Sequence, residues 1–269
     1  MEKPTGTQQS EAGMSRSYVV TGGSRGIGRA VVERLLSSAN TVVVIEFDQA
    51  ALAWIDDHPA GPRVKAVVGD AADEKVTERA ADLAMASGTL TGWVNNAAIF
   101  RDASIHSAGA RTVLDLVALN LNPAVVGCAT AIRRFQATGT PGAIVNLSSY
   151  QARQAVPGCT PYVIAKAAIE GLTRALAVEY GPHGIRVNAV APGSVVTERY
   201  EAFLSRQGPE AVARIEEEMR QLHPLGRVAR SQEVAAAIVY LLSDDASFIN
   251  GATLPVDGGR SVLARDPEA

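Results

Sequence analysis

The 269-residue chain carries 25 Lys and Arg against 28 Asp and Glu, with 47% hydrophobic and 5% aromatic residues. That length fits one α/β domain or two small ones and allows a sizeable core. A net charge of −3 without a basic block, few aromatics and only short continuous apolar runs argue against nucleic acid or a membrane as partner.

Along the chain, residues 1–16 are polar and lack the apolar core of a secretion signal. They are expected to form a disordered extension, with Met14 as an alternative start. "SYVVTGG" reads as a strand, followed by a helix from Ile27 to about Ser38. "TVVVIEF" is a second strand, with a helix near Ala50–Asp56, and "RVKAVVGD" is a third. "DEKVTERAADLAMASG" is helical and "GWVNNAA" a fourth strand. Residues 109–137 make a long helical stretch that tolerates Pro123. "GAIVNLSS" is a fifth strand, and a helix containing Tyr162 follows. "GIRVNAVAPG" and "NGATLPVDGG" are the sixth and seventh strands, and residues 263–269 read as a flexible tail.

These strands are apolar throughout rather than alternating, as parallel strands buried on both faces are. Repeated βα units predict a doubly wound, seven-stranded parallel sheet in a three-layer αβα sandwich, one domain over residues 17–262. Residues 198–225 interrupt the rhythm with a helix-rich insertion. Val212, Ile215, Met219 and Leu222 line one face of it, and Glu216, Glu217, Glu218 and Arg220 the other. It reads as a substrate lid or as a packing and subunit-contact helix.

"TGGSRGIG", Thr21 to Gly28, lies between the first strand and the first helix, where a doubly wound sheet holds a nucleotide phosphate. Glycines permit the tight turn, and the helix N-terminus favours an anion. Glu46 ends the second strand 18 residues after Gly28, placed to bond ribose hydroxyls and to repel a 2′-phosphate. NAD is therefore preferred, with Asp48 the second acidic candidate. Arg25 beside the pocket keeps NADP possible. Tyr162 and Lys166, four apart, share a helix face that Glu170 and Arg174 continue. By itself that is a solvated polar stripe. Cys128 and Cys159 fit no metal or disulfide framework and read as buried small hydrophobes in a reducing, cytoplasmic compartment; the four histidines show no ligand spacing, so no metal is expected.

Taken together these segments resemble the short-chain dehydrogenase/reductase family, in its short single-domain branch, from about Ser17 to Gly259. Its TGxxxGxG pattern is met by Thr21, Gly22, Gly26 and Gly28, and its adenine-contacting Asp by Asp70. NNAG appears as Asn95 to Ala98, with Ala98 replacing the last glycine. The active-site Asn corresponds to Asn120, the Ser to Ser149, YxxxK to Tyr162 and Lys166, and PGxxxT to Pro192, Gly193 and Thr197. Arg25 stands where the extended branch needs glycine, and Ile169 where enoyl reductases carry their Lys. Carbonyl and alcohol chemistry is thus favoured over reduction of a C=C bond.

The resemblance implies a Rossmann fold and a cofactor site built from Gly22, Ser24, Arg25, Gly26, Ile27, Gly28, Glu46, Asp70, Ala71, Asn96, Ala97, Tyr162, Lys166, Pro192, Gly193, Val195 and Thr197. Its catalytic set is Asn120, Ser149, Tyr162 and Lys166. Tyr162 is the expected general acid/base, Lys166 lowers its pKa and orients the nicotinamide ribose, Ser149 bonds the substrate oxygen, and Asn120 holds a water. Each has a plainer alternative: Ser149 caps a turn, and Asn120 satisfies backbone groups near Pro123. The expected activity is NAD(P)-dependent interconversion of a secondary alcohol and a ketone. An NADPH-dependent 3-oxoacyl-thioester reductase and a non-catalytic dinucleotide sensor are the alternatives. Candidate pocket residues are Ile99, Phe100, Tyr150, Gln151, Val156 and Ser194, with Arg153 and Arg199 able to meet an anionic substrate. A homotetramer or homodimer is expected through the two long helices, where Val163, Ala167, Leu172 and Ala175 exceed the face one sheet requires.

Overall fold

Valine and isoleucine follow one another in most strands because both faces of each strand are covered. The computed structural model describes residues 15–101 and 103–264; expectations for the chain before and beyond these lie outside the described residues. The strands are β1 (Arg16–Thr21), β2 (Thr41–Glu46), β3 (Val64–Val68), β4 (Thr89–Asn95), β5 (Gly142–Leu147), β6 (Ile185–Pro192), β7 (Val195–Val196), β8 (Ala229–Arg230) and β9 (Thr253–Val256). Seven of them form one parallel sheet in the order β3-β2-β1-β4-β5-β6-β9. Successive side chains of a strand point to opposite faces. Val20, Val42, Val44, Val94 and Val145 join one core cluster, while Val19, Val43, Ile45, Trp93 and Ile144 join the other.

Helices α1 (Gly26–Leu36) and α7 (Ser231–Leu242) cover the first face through Val31, Leu35, Val234 and Ile238. On the second face lie α2 (Glu74–Met85), α3 (Ile105–Thr138) and α4 (Thr160–Tyr180), contributing Val76, Ala80, Ile132, Phe135 and Ala177. The predicted three-layer, doubly wound architecture is the one observed. Strand order reverses between β1 and β4, so the loops leaving these two strands diverge and open a crevice at the carboxyl edge of the sheet.

Several local expectations are corrected. β1 begins at Arg16, inside the segment read as extension, and Arg16 pairs with Asp244 at 2.6 Å. The helix read near Ala50–Asp56 is a 3-10 helix, Gln49–Ile55; Asp48 caps it by accepting from the Ala50 N–H. A short cap-driven turn needs no α-helical register. α3 begins four residues earlier than read and bends at Gly109, whose φ of 78° is open to glycine alone. By length and hydropathy α3 could cross a membrane, although no continuous apolar run suggested it. Val113, Val117, Ile132 and Phe135 are buried, the last two within the second core cluster, while Leu114, Leu119 and Val125 stay exposed. β7 and β8 form a two-residue parallel ribbon that no sequence pattern signalled. The insertion folds as α5 (Glu198–Leu204) and α6 (Pro209–Leu222), and neither buries any residue completely. Val212, Ile215, Met219 and Leu222 are half-buried, so the predicted stripe faces the protein but docks loosely.

Candidate active site

The loops leaving β1 and β4 are pinned together at the crevice. Thr21 Oγ1 accepts from the N–H groups of Asn96 and Ala97, each at 3.0 Å. Asn96 Nδ2 donates back to the carbonyls of Thr21 (3.0 Å) and Gly22 (2.9 Å). Glycine is required where α1 meets this turn: a Cβ on Gly28 would lie 2.1 Å from the Gly22 carbonyl oxygen. Ser24 Oγ, on the same turn, is buried and has no hydrogen-bond partner. A buried hydroxyl without a partner beside a helix N-terminus is the environment a phosphate oxygen satisfies. The cradle therefore fits the dinucleotide that the sequence implies.

Other predicted cofactor residues line the same edge. Glu46 is half-buried at the end of β2 and its Oε1 accepts from the N–H groups of Phe47 (3.0 Å) and Asp48 (3.4 Å). Arg25, exposed, pairs with Asp48 at 2.8 Å instead of standing free. Asp70 Oδ1 accepts from Ala72 N–H at 2.9 Å, holding the turn after β3, with Ala71 buried beside it. Ile27 packs into the core from the first turn of α1. Pro192 ends β6, Gly193 abuts Asp257, and Val195 sits in the β7–β8 ribbon. Thr197 caps α5, its Oγ1 accepting from Tyr200 N–H at 3.3 Å. Ala98 is exposed with an ordinary negative φ, so the departure from glycine strains nothing.

Of the four predicted catalytic residues, Ser149 follows β5, Tyr162 and Lys166 lie one turn apart on α4, and Asn120 lies on α3 against the loop after β4. Ser149 is buried; its Oγ accepts from Gln151 N–H at 3.2 Å, and its hydroxyl lies near enough to the Tyr162 phenol to favour the phenolate. Lys166, one turn along α4, is 2% exposed and donates to the Leu147 carbonyl at 2.6 Å. Asn120 Oδ1 accepts from Ile99 N–H (2.9 Å) and its Nδ2 donates to Leu116 O (3.2 Å). The plainer roles foreseen for Ser149 and Asn120 are thus present. Behind them, Asn95 donates to Asn146 at 2.8 Å and Asn146 to Thr173 at 3.0 Å, a buried network that joins β4, β5 and α4.

The electrostatics differ from expectation. Lys166 does not depress the Tyr162 phenol here. Burial pushes that phenol up to about 12, opposed by the Ser149 hydroxyl and the charge of Arg199. Lys166 itself is pushed down to about 8 by burial. Its Nζ donates to Leu147 O and lies 5.4 Å from the Tyr162 ring centroid. Both groups lose hydration on burial, and that loss outweighs their mutual effect.

Arg199 and Phe100 carry a role that the sequence left among loose candidates. The Arg199 guanidinium lies 4.1 Å over the Phe100 ring, and Phe100 packs 4.7 Å from Tyr162. Arg153 is not free for substrate; it pairs with Glu170 at 3.1 Å. Glu170 is buried and also accepts from Ser148 Oγ at 3.2 Å, so the polar stripe beyond Lys166 is not solvated until Arg174. His223 was set aside for lack of ligand spacing. It is 1% exposed, its Nδ1 donating to Met219 O (2.7 Å) and its Nε2 accepting from Ser194 N–H (3.2 Å), and so fastens the end of α6 to the β6–β7 loop. Tyr150 and Val156, with Gln154, Leu222 of α6, Arg260 and Leu263, line a cavity of about 220 Å³. Ile99 is 41% exposed above the crevice, and Gln151 is buried with its Oε1 unpartnered.

A switch-point crevice with a glycine-rich phosphate cradle and a Ser–Tyr–Lys cluster defines a nicotinamide-dinucleotide oxidoreductase. Residues 22–261 match the family described as enoyl-(acyl carrier protein) reductase. The chain is 36% identical over 252 residues to 2,5-dichloro-2,5-cyclohexadiene-1,4-diol dehydrogenase of Sphingobium indicum, covering 92% of this chain and 98% of that protein. It is 36% identical over 258 residues to 3beta-hydroxysteroid dehydrogenase 1 of Eggerthella lenta, covering 92% and 94%. The crystal structure of levodione reductase superposes with a TM-score of 0.83 at 31% identity, covering 93% of this chain and 98% of that one. The chain belongs to the short-chain dehydrogenase/reductase family and is an oxidoreductase that uses NAD(H) or NADP(H) on a small-molecule substrate.

Proposed function

We propose that this protein interconverts a secondary alcohol and a ketone, with Tyr162 as general acid/base. The observation that carries the reading is the placement of the buried Ser149 hydroxyl beside the Tyr162 phenol, with the buried Lys166 one turn along α4, at the edge where the phosphate cradle opens. The bound nicotinamide supplies or accepts the hydride. Ser149 and Tyr162 together donate to the substrate oxygen, stabilising negative charge as it develops there. In the reducing direction the Tyr162 phenol gives its proton to that oxygen; in the oxidising direction it takes one back. A phenol pushed up to about 12 is held protonated at neutral pH, which suits donation. Arg199 acts in the opposite sense, favouring the phenolate that oxidation needs. Lys166 holds its Nζ against Leu147 O and would bind the cofactor's ribose, and Asn120 braces the loop carrying Ile99 and Phe100. The four-residue Tyr–Lys spacing supports carbonyl chemistry, as do relatives named as diol and hydroxysteroid dehydrogenases, although the matched family's description names an enoyl reductase.

NAD(H) is the preferred cofactor in this reading. Glu46 sets a carboxylate at the end of β2 that would repel a 2′-phosphate, and Arg25, the one residue that favoured NADP, pairs with Asp48 on the surface. The working unit is a homotetramer or homodimer built on α3 and α4. Ile164 (43% exposed) and Val178 (80%) on α4, with Ala167 and Ala175 between them, leave an apolar stripe in solvent. Leu172 instead packs on the chain's own core, and Val163 is half-buried. The decisive experiment replaces Tyr162 with Phe, which keeps the ring and removes the hydroxyl. With a ketone or alcohol that the wild type turns over, kcat should fall about 100-fold or more; survival within about tenfold would show that Tyr162 is not the acid/base.

A further inference from the structure

We propose that Glu198 is a displaceable anion that latches the lid onto the phosphate cradle and must leave before a dinucleotide's pyrophosphate can dock. α1 supplies no anion of its own: Arg25 at its N-cap makes no capping bond, and its first turn has no acidic residue. The missing negative charge comes from 172 residues away. Gly26 N–H, at the start of α1, donates to Glu198 Oε2 at 3.0 Å and Oε1 at 3.3 Å. The approach depends on glycine, because a Cβ on Gly26 would lie 3.1 Å from Thr197 Cγ2.

Two further observations make this a borrowed site rather than a structural cap. Ser24 Oγ, buried and without a partner, lines the same cavity of about 820 Å³ as Gly26, Thr197 and Glu198, so the cradle retains an unsatisfied donor while Glu198 is in place. Glu198 also forms no ion pair among the described residues: the nearby cations Arg25, Arg29 and Arg230 pair with Asp48, Glu33 and Glu233. The carboxylate is therefore held by one backbone N–H and the α1 dipole, a bond another anion can replace. The lid it secures is loosely seated, with no fully buried residue in α5 or α6, and its deep anchor is His223 at the far end.

A pyrophosphate and a carboxylate cannot share one helix N-terminus without like-charge repulsion. Cofactor entry thus exchanges anions, frees the first turn of α5 and leaves the lid hinged at His223. This inference rests on the dinucleotide reading of the cradle.

The test compares wild type with Glu198→Gln, which keeps an oxygen acceptor for Gly26 and removes the charge. Binding of NADH, ADP-ribose and adenosine is titrated for each. Glu198→Gln should bind NADH and ADP-ribose about fivefold tighter and adenosine unchanged, the gain shrinking at about 1 M salt. Trypsin should cleave the wild-type lid, at Arg206 or Arg214, faster once ADP-ribose is bound, and the Glu198→Gln lid fast from the outset. Equal or weaker binding of ADP-ribose by the variant, or equal tightening toward adenosine, overturns the latch while leaving the dinucleotide reading intact. Binding of no nucleotide by either protein overturns that reading itself, and the latch with it.

Discussion

Lys166 should make the cofactor-free protein more stable as pH rises above neutrality, and Lys166→Met should abolish that gain. The ammonium is 2% exposed and burial lowers its pKa from 10.5 to about 8. Between these two values the unfolded chain holds a proton that the folded chain has released. Stability therefore climbs with pH through this window, by about 1.4 kcal/mol per unit. Moving from about pH 7 to about pH 9.5 should raise the wild type by about 2 kcal/mol relative to Lys166→Met. Tyr162, raised from 10.0 to about 12, works the other way, but only above about pH 10, outside the window. Taking the difference between the two proteins cancels every other titrating group. The assay is urea unfolding of both at the two pH values, followed by far-UV circular dichroism. A difference that stays constant within about 0.5 kcal/mol would show that Lys166 is solvated in the folded state and that burial does not set its charge.

Three other outcomes follow from the geometry. Gly28→Ala puts a Cβ 2.1 Å from Gly22 O and 2.5 Å from Asn96 Nδ2; it should cost about 1–3 kcal/mol in urea unfolding and weaken NADH binding, whereas wild-type stability would disprove the close approach. Glu46→Ala should bring NADPH affinity close to that of NADH in paired fluorescence titrations; an unchanged ratio would remove Glu46 from cofactor selection. Val178→Glu, at a position 80% exposed on α4, should split the assembly in light scattering without loss of helical signal, and a monomeric wild type at micromolar concentration would refute the assembly outright.

The fold was legible because its determinants are local. Val42 to Ile45 are apolar in succession, and only a strand covered on both faces tolerates that. The phosphate cradle was legible for the same reason, since Gly22, Gly26 and Gly28 act within one turn. That the helix after β2 is 3-10 rather than α was not legible, since seven residues behind the Asp48 cap are too few to show a period. The fate of the stripe beyond Lys166 was equally hidden. Glu170 sits on α4 at a spacing that suits solvent, and only the arrival of Ser148 and Arg153 from the β5–α4 connection buries it.

By itself the sequence determined the parallel sheet and the glycine-rich turn after β1, because period and spacing are properties of a short stretch of chain, whereas Asn120, Ser149, Tyr162 and Lys166 stood out only through the family resemblance. Tertiary structure alone decided where the charges go. It paired Arg25 with Asp48, set Arg199 over Phe100, placed Glu198 on the α1 N-terminus and let burial rather than Lys166 govern the Tyr162 phenol. The physical reason is that an ionisable group answers to whatever lies within a few ångströms and to how much water is left around it. Neither is written in the spacing of residues along the chain.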